Sequence, residues 1–501
     1  MQEMSSQTPL MIQYQSIKDA YKNEVLFFRL GDFYEMFNDD AIEVSRLLNL
    51  TLTQRGGNPM CGIPYHASKI YIARLLRMGK KIAICEQVSQ STAGKGLAER
   101  RVVEVITPGT VLEEEYLEQG AHNFLSCLSI VPSKNITYAS FAFIDISTGE
   151  FGATSWRLDE TKDAFAKELG RLLPKELILD EEALKNPDVA MVLDSYSAIS
   201  TSVYPSWHFA VELSYKRLIH QFGTANLRGF GLKDDSPEVA SSGFLLEYLG
   251  KNTGNSQSGS RIPHVQSIKL FTDTDYVAID DSSRRNLEIV CNLRDGTVHH
   301  SLLETVLHTK TAMGKRLLYS WFMYPLKSIN TILKRQEHVG CFFSNTVLMS
   351  KVRDHLSSML DLERLTGRIV MERAHAKEII ALQKSLESWT SIRDLLKESE
   401  FMYFDCKEAY DIINLIDSSI FEDPSTTFNE ARLIKKNWSP ELDHLHAIQE
   451  NFQSYLDDYL EKEKKSTGIQ NLKIRYNRMQ GYYMEVSRGK IPSVPSHFIL
   501  K

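Results

Sequence analysis

Residues 25–37 read Val-Leu-Phe-Phe-Arg-Leu-Gly-Asp-Phe-Tyr-Glu-Met-Phe, and this stretch sets the character of the first part of the chain. Apolar and aromatic side chains over Val25–Leu30 predict a β-strand, and the glycine–aspartate pair that follows is typical of a turn. Residues 39–50 then place apolar side chains at helical spacing. This pattern continues along the chain, so we predict a small mixed α/β domain over residues 1–120.

The rest of the chain divides into further regions. Residues 138–156 predict a β-hairpin within a second α/β domain, which we place at residues 121–251. A polar stretch rich in glycine and serine is the best candidate for a linker, at residues 252–262. Helical patterns dominate residues 263–437, and residues 438–501 end in a predicted hairpin with basic side chains. We therefore predict a multi-domain protein of the α/β plus α class.

Long helical patterns follow one another after residue 300. They cover residues 302–322, 332–343, 352–369, 376–398 and 442–460. Several exceed the globular average of about 12 residues. They predict continuous helices in an elongated α-helical domain.

The composition favours a folded protein in a reducing compartment. Hydrophobic residues make up 43% of the chain and charged residues 24%, which is ordinary for a globular protein. The six cysteines show neither a Cys-x-x-Cys pair nor zinc-ligand spacing, which argues against a disulfide framework and a structural metal. We identify no signal peptide and no apolar run near the roughly 20 residues of a membrane helix. We expect a cytoplasmic protein without a membrane partner.

The formal net charge of −6, taken for the whole chain, argues against nucleic-acid binding. The average conceals two basic stretches. Residues 55–101 hold nine basic and two acidic side chains, and residues 464–501 hold eight basic and one acidic, so each stretch has a net charge of +7. Such a local excess can neutralise phosphates and release counterions. A solvated protein surface is the alternative.

Residues 31–37, Gly-Asp-Phe-Tyr-Glu-Met-Phe, fit either a turn followed by a core strand or a functional motif. Other blocks of sequence favour the functional motif. They are LTQRG at 52–56, MCGIPYHA at 60–67, AICEQV at 83–88, GLAERRVVEVITPGT at 96–110, IDISTGEF at 144–151 and TGIQNLKIRYNRMQGYYMEVSRG at 467–489. In this order and at these spacings, the blocks resemble the bacterial MutS family of DNA mismatch repair proteins. The resemblance covers the whole chain.

In that family a Phe-x-Glu motif belongs to the mismatch-binding domain, and here it falls on Phe33 and Glu35. The resemblance implies that Phe33 wedges into the duplex from the minor groove and stacks on a mispaired base. Unstacking costs about a few kcal/mol, and less at a step that is already weakly paired. Glu35 either accepts a hydrogen bond from a base or is protonated and donates one, and we expect it to penalise paired DNA.

The two basic stretches supply candidates for contacts with the DNA backbone, because phosphate contacts position a protein without reading sequence. Around the wedge the candidates are Arg55, Lys81, Lys95, Arg100 and Arg101. In the terminal hairpin, which resembles the clamp domain of the family, they are Lys473, Arg475, Asn477, Arg478, Ser487, Arg488 and Lys490.

The resemblance also implies an architecture. It consists of a mismatch-binding domain, a ribonuclease-H-like α/β connector, an α-helical core and lever, and a partial antiparallel β clamp in which the chain is expected to stop. No Gly-Lys pair has the flanking residues of a Walker A motif. We therefore expect neither enzymatic activity nor a cofactor in this chain, whereas ATP and Mg²⁺ are expected for the C-terminal ATPase domain of the family. Expected partners are mismatched double-stranded DNA, a MutL-type protein and, for the full-length protein, a second copy.

Two other functions remain open. Asp145 and Glu150 could suggest two-metal nuclease chemistry, which Mg²⁺-dependent cleavage would distinguish. The chain could instead be a non-catalytic truncated helical scaffold or a degenerate family product without productive DNA binding. DNA binding that falls steeply with salt would count against this last alternative. Residues 374–378 and 437–438 also depart from the usual pattern of the family, near the lever.

Overall fold

The fold is seen in a computed structural model of the chain. The described residues are 8–88, 98–133, 136–253, 261–271, 276–397, 406–425, 433–477, 481–487, 489, 494–495 and 498–499. The chain forms two compact units, one of Met1–Ala374 with Lys384–Phe404 and one of His375–Gln383 with Asp405–Lys501. Among the described residues, no helix combines the length and the apolar character needed to cross a membrane.

The first sheet has six strands in the order β3-β4-β2-β1-β5-β6. Its strands are β1 (Val25–Leu30), β2 (Phe33–Phe37), β3 (Thr53–Arg55), β4 (Asn58–Pro64), β5 (Ile82–Gln87) and β6 (Arg100–Ile106). The helices that pack on it are α1 (Pro9–Ala20), α2 (Asn38–Leu48) and α3 (Ser68–Arg77). Strand β1 lies in the middle of this sheet, between β2 and β5. Its first four side chains are buried on both faces, as expected for a central strand.

The two faces of this sheet carry separate cores. Tyr34 and Met36 of β2 pack with Val44 of α2 and Leu75 of α3 on one face. The alternate side chains of β2 point to the other face of the sheet, where α1 packs over part of the strands. Helix α1 therefore covers this second face at only one end of β2.

The second sheet has six strands in the order β11-β10-β7-β8-β9-β12. Its strands are β7 (Leu125–Ser133), β8 (Ile136–Asp145), β9 (Glu150–Arg157), β10 (Glu176–Asp180), β11 (Ser200–Tyr204) and β12 (Lys269–Leu270). Strand β8 is antiparallel to β7 and β9, whereas β10 is parallel to β7 and β11. The helices of this region are α4 (Thr161–Leu172), α5 (Glu181–Lys185), α6 (Pro187–Asp194), α7 (Val211–Phe222) and α8 (Glu238–Asn252).

Helices make up most of the described chain after residue 280. They are α9 (Asp281–Asn286), α10 (Leu302–Val306), α11 (Ala312–Met323), α12 (Ile329–Ser344), α13 (Thr346–Ser357), α14 (Leu362–Val370), α15 (Ala376–Leu396), α16 (Lys407–Ser419), α17 (Pro440–Glu450) and α18 (Phe452–Thr467). A two-stranded antiparallel sheet follows, formed by β13 (Lys473–Asn477) and β14 (Gly481–Glu485). The chain is thus a mixed α/β protein of several domains, as the sequence predicts at this level.

Three of the long helical patterns are interrupted, so the prediction of continuous helices is wrong there. Thr311 and Asp361 each accept a hydrogen bond from a backbone N–H three residues ahead, which starts a new helix at α11 and α14. Asn451 separates α17 from α18. Hydrophobic periodicity continues across such breaks because the helices on either side bury the same kind of face.

The sequence predicts a linker at residues 252–262, in the polar segment after α8. Helix α8 includes Asn252, and Ile262 is buried against the second sheet. Residues 254–260 lie outside the described part of the chain. The domain boundaries taken from the sequence stay a prediction.

Candidate nucleic-acid interface

A tight turn presents Phe33 at the surface. Gly31 has a φ of +59°, which glycine adopts without the steric cost that a Cβ brings. Phe33 is the first residue of β2 and lies between Leu30 of β1 and Pro64 of β4. It is 46% exposed, unlike the buried Phe27 and Phe28 of the preceding strand. The ring is therefore open to contact from outside the sheet.

Phe33 shares its face of the sheet with Glu35 and Phe37, because alternate side chains of a strand point to the same side. At the far end of β2, Phe37 is buried beneath α1, and its ring lies 4.9 Å from that of Tyr14, centroid to centroid. Along five residues of β2, the same face changes from packed core to exposed surface.

Glu35 is paired with Arg55, which ends the edge strand β3. Arg55 Nη1 donates a hydrogen bond to Glu35 Oε2 at 2.9 Å. The side chain of Glu35 is 15% exposed and that of Arg55 is 51% exposed. The guanidinium offsets the negative charge of the Glu35 carboxylate. Both residues are candidates from the sequence, but the sequence does not predict that they pair.

Lys81 and Arg100 are engaged within the protein. Lys81 is 13% exposed and its ammonium lies 2.6 Å from the Glu176 carboxylate. Arg100 Nε donates to the Arg29 carbonyl at 2.8 Å, its guanidinium lies over the Phe28 ring, and burial lowers its pKa. The structure therefore does not bring these two cations together with Arg55 at the surface around Phe33.

Arg101 and Lys95 complete the candidates of the first basic stretch. Arg101 is exposed on β6, where it pairs in register with Glu86 of β5. Strand β6 is the edge of the first sheet opposite β3, so Arg101 and Arg55 lie at opposite edges. Lys95 lies outside the described residues.

The terminal hairpin gathers basic and polar side chains on one face. Lys473, Arg475 and Asn477 alternate along β13 and are exposed. Arg475 forms an ion pair with Glu485 of β14. Ser487 is exposed just after β14. Three further candidates, Arg478, Arg488 and Lys490, lie outside the described residues.

Sequence reasoning missed Arg29, whose side chain holds the turn before Phe33. Arg29 Nε donates to the Gly31 carbonyl oxygen at 2.6 Å. The available signal was its position, since it is the charged residue in the otherwise apolar strand β1. A charged side chain within an otherwise apolar strand indicates that a hydrogen-bonding or oppositely charged partner lies nearby.

Asp145 does not have the surroundings of a catalytic metal ligand. It is fully buried, and its carboxylate accepts hydrogen bonds from the backbone N–H groups of Asn123 and Ser147. Burial alone would raise its pKa, but His122 and these donors hold the pKa below its usual value. In the described ranges, no three potential ligands are placed to hold a metal ion. The geometry gives the nuclease alternative no support.

Comparison with known families places these features in context. Models of MutS domain I, MutS domain II and MutS domain III match residues 8–115, 123–266 and 282–473, in sequence order. Proteins named DNA mismatch repair protein MutS align over nearly the whole chain. The chain belongs to the MutS family. This confirms the resemblance inferred from the sequence blocks.

Three MutS relatives show the degree of similarity. The protein of Treponema denticola is 48% identical, with 98% of this chain and 56% of the relative aligned. That of Treponema pallidum, strain Nichols, is 42% identical, covering 100% of this chain and 55% of the relative. That of Symbiobacterium thermophilum is 37% identical, covering 99% and 57%. The chain thus spans a little over half the length of these MutS relatives.

The candidate residues distribute over the MutS matches in a defined way. Phe33, Glu35 and Arg55 lie in the part that matches MutS domain I. Asp145 lies in the part that matches MutS domain II. Lys473, at the start of the hairpin, is the last residue matched to MutS domain III.

Proposed function

We propose that this chain recognises mispaired or looped bases in duplex DNA, and thereby serves the first step of DNA mismatch repair. The observation that carries this proposal is the exposure of the Phe33 ring at the start of β2, beside Glu35 on the same face. An aromatic side chain inserted from the minor groove unstacks and kinks a base step. The family and the names of the relatives support the same role.

Glu35 is proposed to penalise paired DNA, with Arg55 beside it. The half-exposed guanidinium of Arg55 can contact a phosphate while it stays close to the Glu35 carboxylate. Arg101 and Lys95 remain proposed phosphate contacts of this region. Lys81 and Arg100 are left out, because their cationic groups are bound inside the protein.

The hairpin is proposed to act as a clamp on the DNA backbone. The exposed residues Lys473, Arg475 and Asn477 support this role, because they share one face of β13. Ser487 adds a hydroxyl beside that strand pair. Arg478, Arg488 and Lys490 remain proposals from the sequence.

The remaining regions are given the roles of their MutS counterparts. The second sheet is proposed to be a ribonuclease-H-like connector that meets a MutL-type partner. Its strand order and its mixture of antiparallel β7-β8-β9 and parallel β7-β10-β11 pairs support this proposal. The helices are proposed to form a core and lever. ATP hydrolysis with Mg²⁺, and association with a second copy, are assigned to the full-length MutS protein rather than to these 501 residues.

The wedge is tested by comparing Phe33→Ala with the parent chain. Affinities are measured for a duplex with one mismatch and for the matched homoduplex at one salt concentration. Stacking on an aromatic ring is worth roughly 1–3 kcal/mol per base, so mismatch affinity is expected to fall by about tenfold. Homoduplex affinity should stay nearly unchanged, because it depends on phosphate contacts.

Ile70→Ala is the matched control, since Ile70 is exposed on α3 of the same domain. It should keep the parental ratio of the two affinities. Glu35→Ala should reduce that ratio by strengthening homoduplex binding. A parental ratio in Phe33→Ala would contradict the proposed function, and a parental ratio in Glu35→Ala would remove Glu35 from it.

A further inference from the structure

The turn that presents Phe33 has both of its carbonyl groups held in place. The Gly31 carbonyl oxygen accepts a hydrogen bond from Arg29 Nε at 2.6 Å. The Asp32 carbonyl oxygen accepts one from the backbone N–H of Tyr65 at 2.9 Å. The turn is therefore fastened to β1 through a side chain and to the end of β4 through the backbone.

Arg29 is itself fixed by its neighbours. Its guanidinium carbon lies 3.7 Å from the centroid of the Tyr65 ring, where the face of the ring attracts a cation. Its Nη1 lies 3.8 Å from Glu86 Oε1, and Glu86 also accepts a hydrogen bond from the Tyr34 hydroxyl. Burial and this contact with Glu86 raise the pKa of Tyr34 to about 12, so its hydroxyl remains a donor at neutral pH.

These contacts lie on the opposite face of the sheet from the Phe33 ring. Arg29 pairs in register with Tyr34, whose side chain points into the core beneath α2 and α3. With 19% of its side chain exposed, Arg29 is not presented on the surface that carries Phe33. Its influence on DNA would therefore act through the backbone of the turn.

We propose that Arg29 is a positioning residue for the mismatch wedge, holding the Gly31–Asp32 turn rigid so that Phe33 cannot yield. The inference rests on the proposed function of Phe33. The affinity of a wedge depends on how easily a base step opens only if the protein is harder to deform than the DNA. A loose turn would let the ring fold aside on well-stacked DNA, and the difference in affinity would shrink.

Arginine suits this task better than lysine. The planar guanidinium can stack on Tyr65 and donate to Gly31 at the same time, because its donors lie in the plane of the group. A lysine ammonium keeps the charge and its donors, but it is a point charge on a flexible stem and has no plane that could stack on Tyr65. Arg29→Lys therefore weakens the positioning and retains the electrostatic attraction to DNA.

The test compares Arg29→Lys with Arg46→Lys, a matched control at an exposed arginine of α2, in the full chain. The preference for mismatched over homoduplex DNA should fall in Arg29→Lys, by less than the roughly tenfold loss expected for Phe33→Ala, because a loose turn weakens the wedge without removing it. Homoduplex affinity should change by less than about twofold, since the charge is kept. The fluorescence of 2-aminopurine beside the mismatch should report less unstacking.

A second pair of variants addresses the stacking partner. Tyr65→Phe keeps the ring and should behave as the parent, whereas Tyr65→Leu should behave as Arg29→Lys. Melting temperatures are recorded for every variant. If Arg29→Lys and Tyr65→Leu melt as the control does and keep the parental preference, the inference is overturned. An equal loss of affinity for both duplexes with a lowered melting temperature would also overturn it, by assigning Arg29 to folding.

Phe33→Ala separates the two proposals. If Phe33→Ala loses the preference while Arg29→Lys keeps it, the inference on Arg29 fails and the proposed function stands. If Phe33→Ala keeps the preference, both fail, because there is then no wedge for Arg29 to position.

Discussion

Glu35 shows how an acidic side chain can belong to the proposed DNA-binding surface. Its carboxylate lies 2.9 Å from the Arg55 guanidinium, and Arg55 is the more exposed of the two. An approaching phosphate would meet the cation first. The pair therefore lets the protein keep a hydrogen-bond acceptor beside the proposed wedge, Phe33, without a net negative charge at that point.

This arrangement predicts that Arg55 and Glu35 are coupled in DNA binding. Arg55→Gln should weaken binding to both duplexes, because a phosphate contact is lost and the Glu35 charge is unmasked. In the background of Glu35→Gln, the same change should cost less. Exposed ion pairs are worth about 0.2–1 kcal/mol, so a double-mutant cycle of affinities should show a coupling of roughly 1.4- to 5-fold that shrinks with added salt.

Arg101→Gln provides the control for this cycle. Arg101 is an exposed arginine of the same sheet but lies at the opposite edge from Arg55. Its effect should add to that of Glu35→Gln without coupling. Additive effects for Arg55 as well would show that the ion pair has no part in binding.

At the scale of elements, the first and second sheets are joined where β5 and β10 begin. Lys81 lies just before β5, and its ammonium is 2.6 Å from Glu176 Oε1 at the start of β10. The fully buried Glu176 also accepts hydrogen bonds from the hydroxyls of Tyr248 and Thr107. These partners satisfy a charge that would otherwise be costly to bury.

Lys81→Met should therefore reduce stability rather than DNA contact. Removal of one partner from a buried ion pair costs about 3–5 kcal/mol, because the other charge stays buried. Calorimetry should show a clearly lower melting temperature for Lys81→Met. The double variant Lys81→Met, Glu176→Gln should regain part of the lost melting temperature. Lys80→Met is the control, since Lys80 pairs with Glu43 at the surface. Weaker DNA binding with unchanged melting would instead restore Lys81 as a phosphate contact.

The elements show which parts of the structure a sequence can give. The strand over Val25–Leu30 and the turn after it were predictable, because composition and turn residues act locally. The pairing of Arg55 with Glu35, and the burial of Lys81, depend on contacts 20 and 95 residues apart along the chain. The sequence does not show whether a basic side chain contacts a phosphate or a carboxylate.

Helix breaks have a similar explanation. Thr311 and Asp361 are good N-cap residues that were visible in the sequence. Asp361 also accepts hydrogen bonds from the buried Arg316, so its place in the fold is set by tertiary structure as well as by capping. Hydrophobic periodicity alone does not distinguish a polar residue on the surface of a continuous helix from one that starts a new helix.

At the scale of the larger unit, arginines in and after α14 bind the helices to both sheet domains. Arg364 donates to the carbonyl of Glu118 at 3.0 Å and to the Ser147 hydroxyl at 3.2 Å. Arg373 lies 2.7 Å from the Glu104 carboxylate on β6. These contacts form a direct physical route between the two sheet domains and the helices.

Arg373 is the sharper test of this route, because it contacts β6 directly and also donates to the Thr253 carbonyl at 3.2 Å. Arg373→Met should loosen the contact, and amide hydrogen exchange over residues 104–121 should become about tenfold faster, the effect of losing roughly 1.4 kcal/mol. The pair is partly exposed, so raised salt should accelerate the same amides in the parent to a smaller degree. Arg353→Met serves as the control, since Arg353 donates to His308 within the helical region. Unchanged exchange over residues 104–121 in Arg373→Met would show that β6 does not depend on this arginine, and the route to the helices would have to run through Arg364.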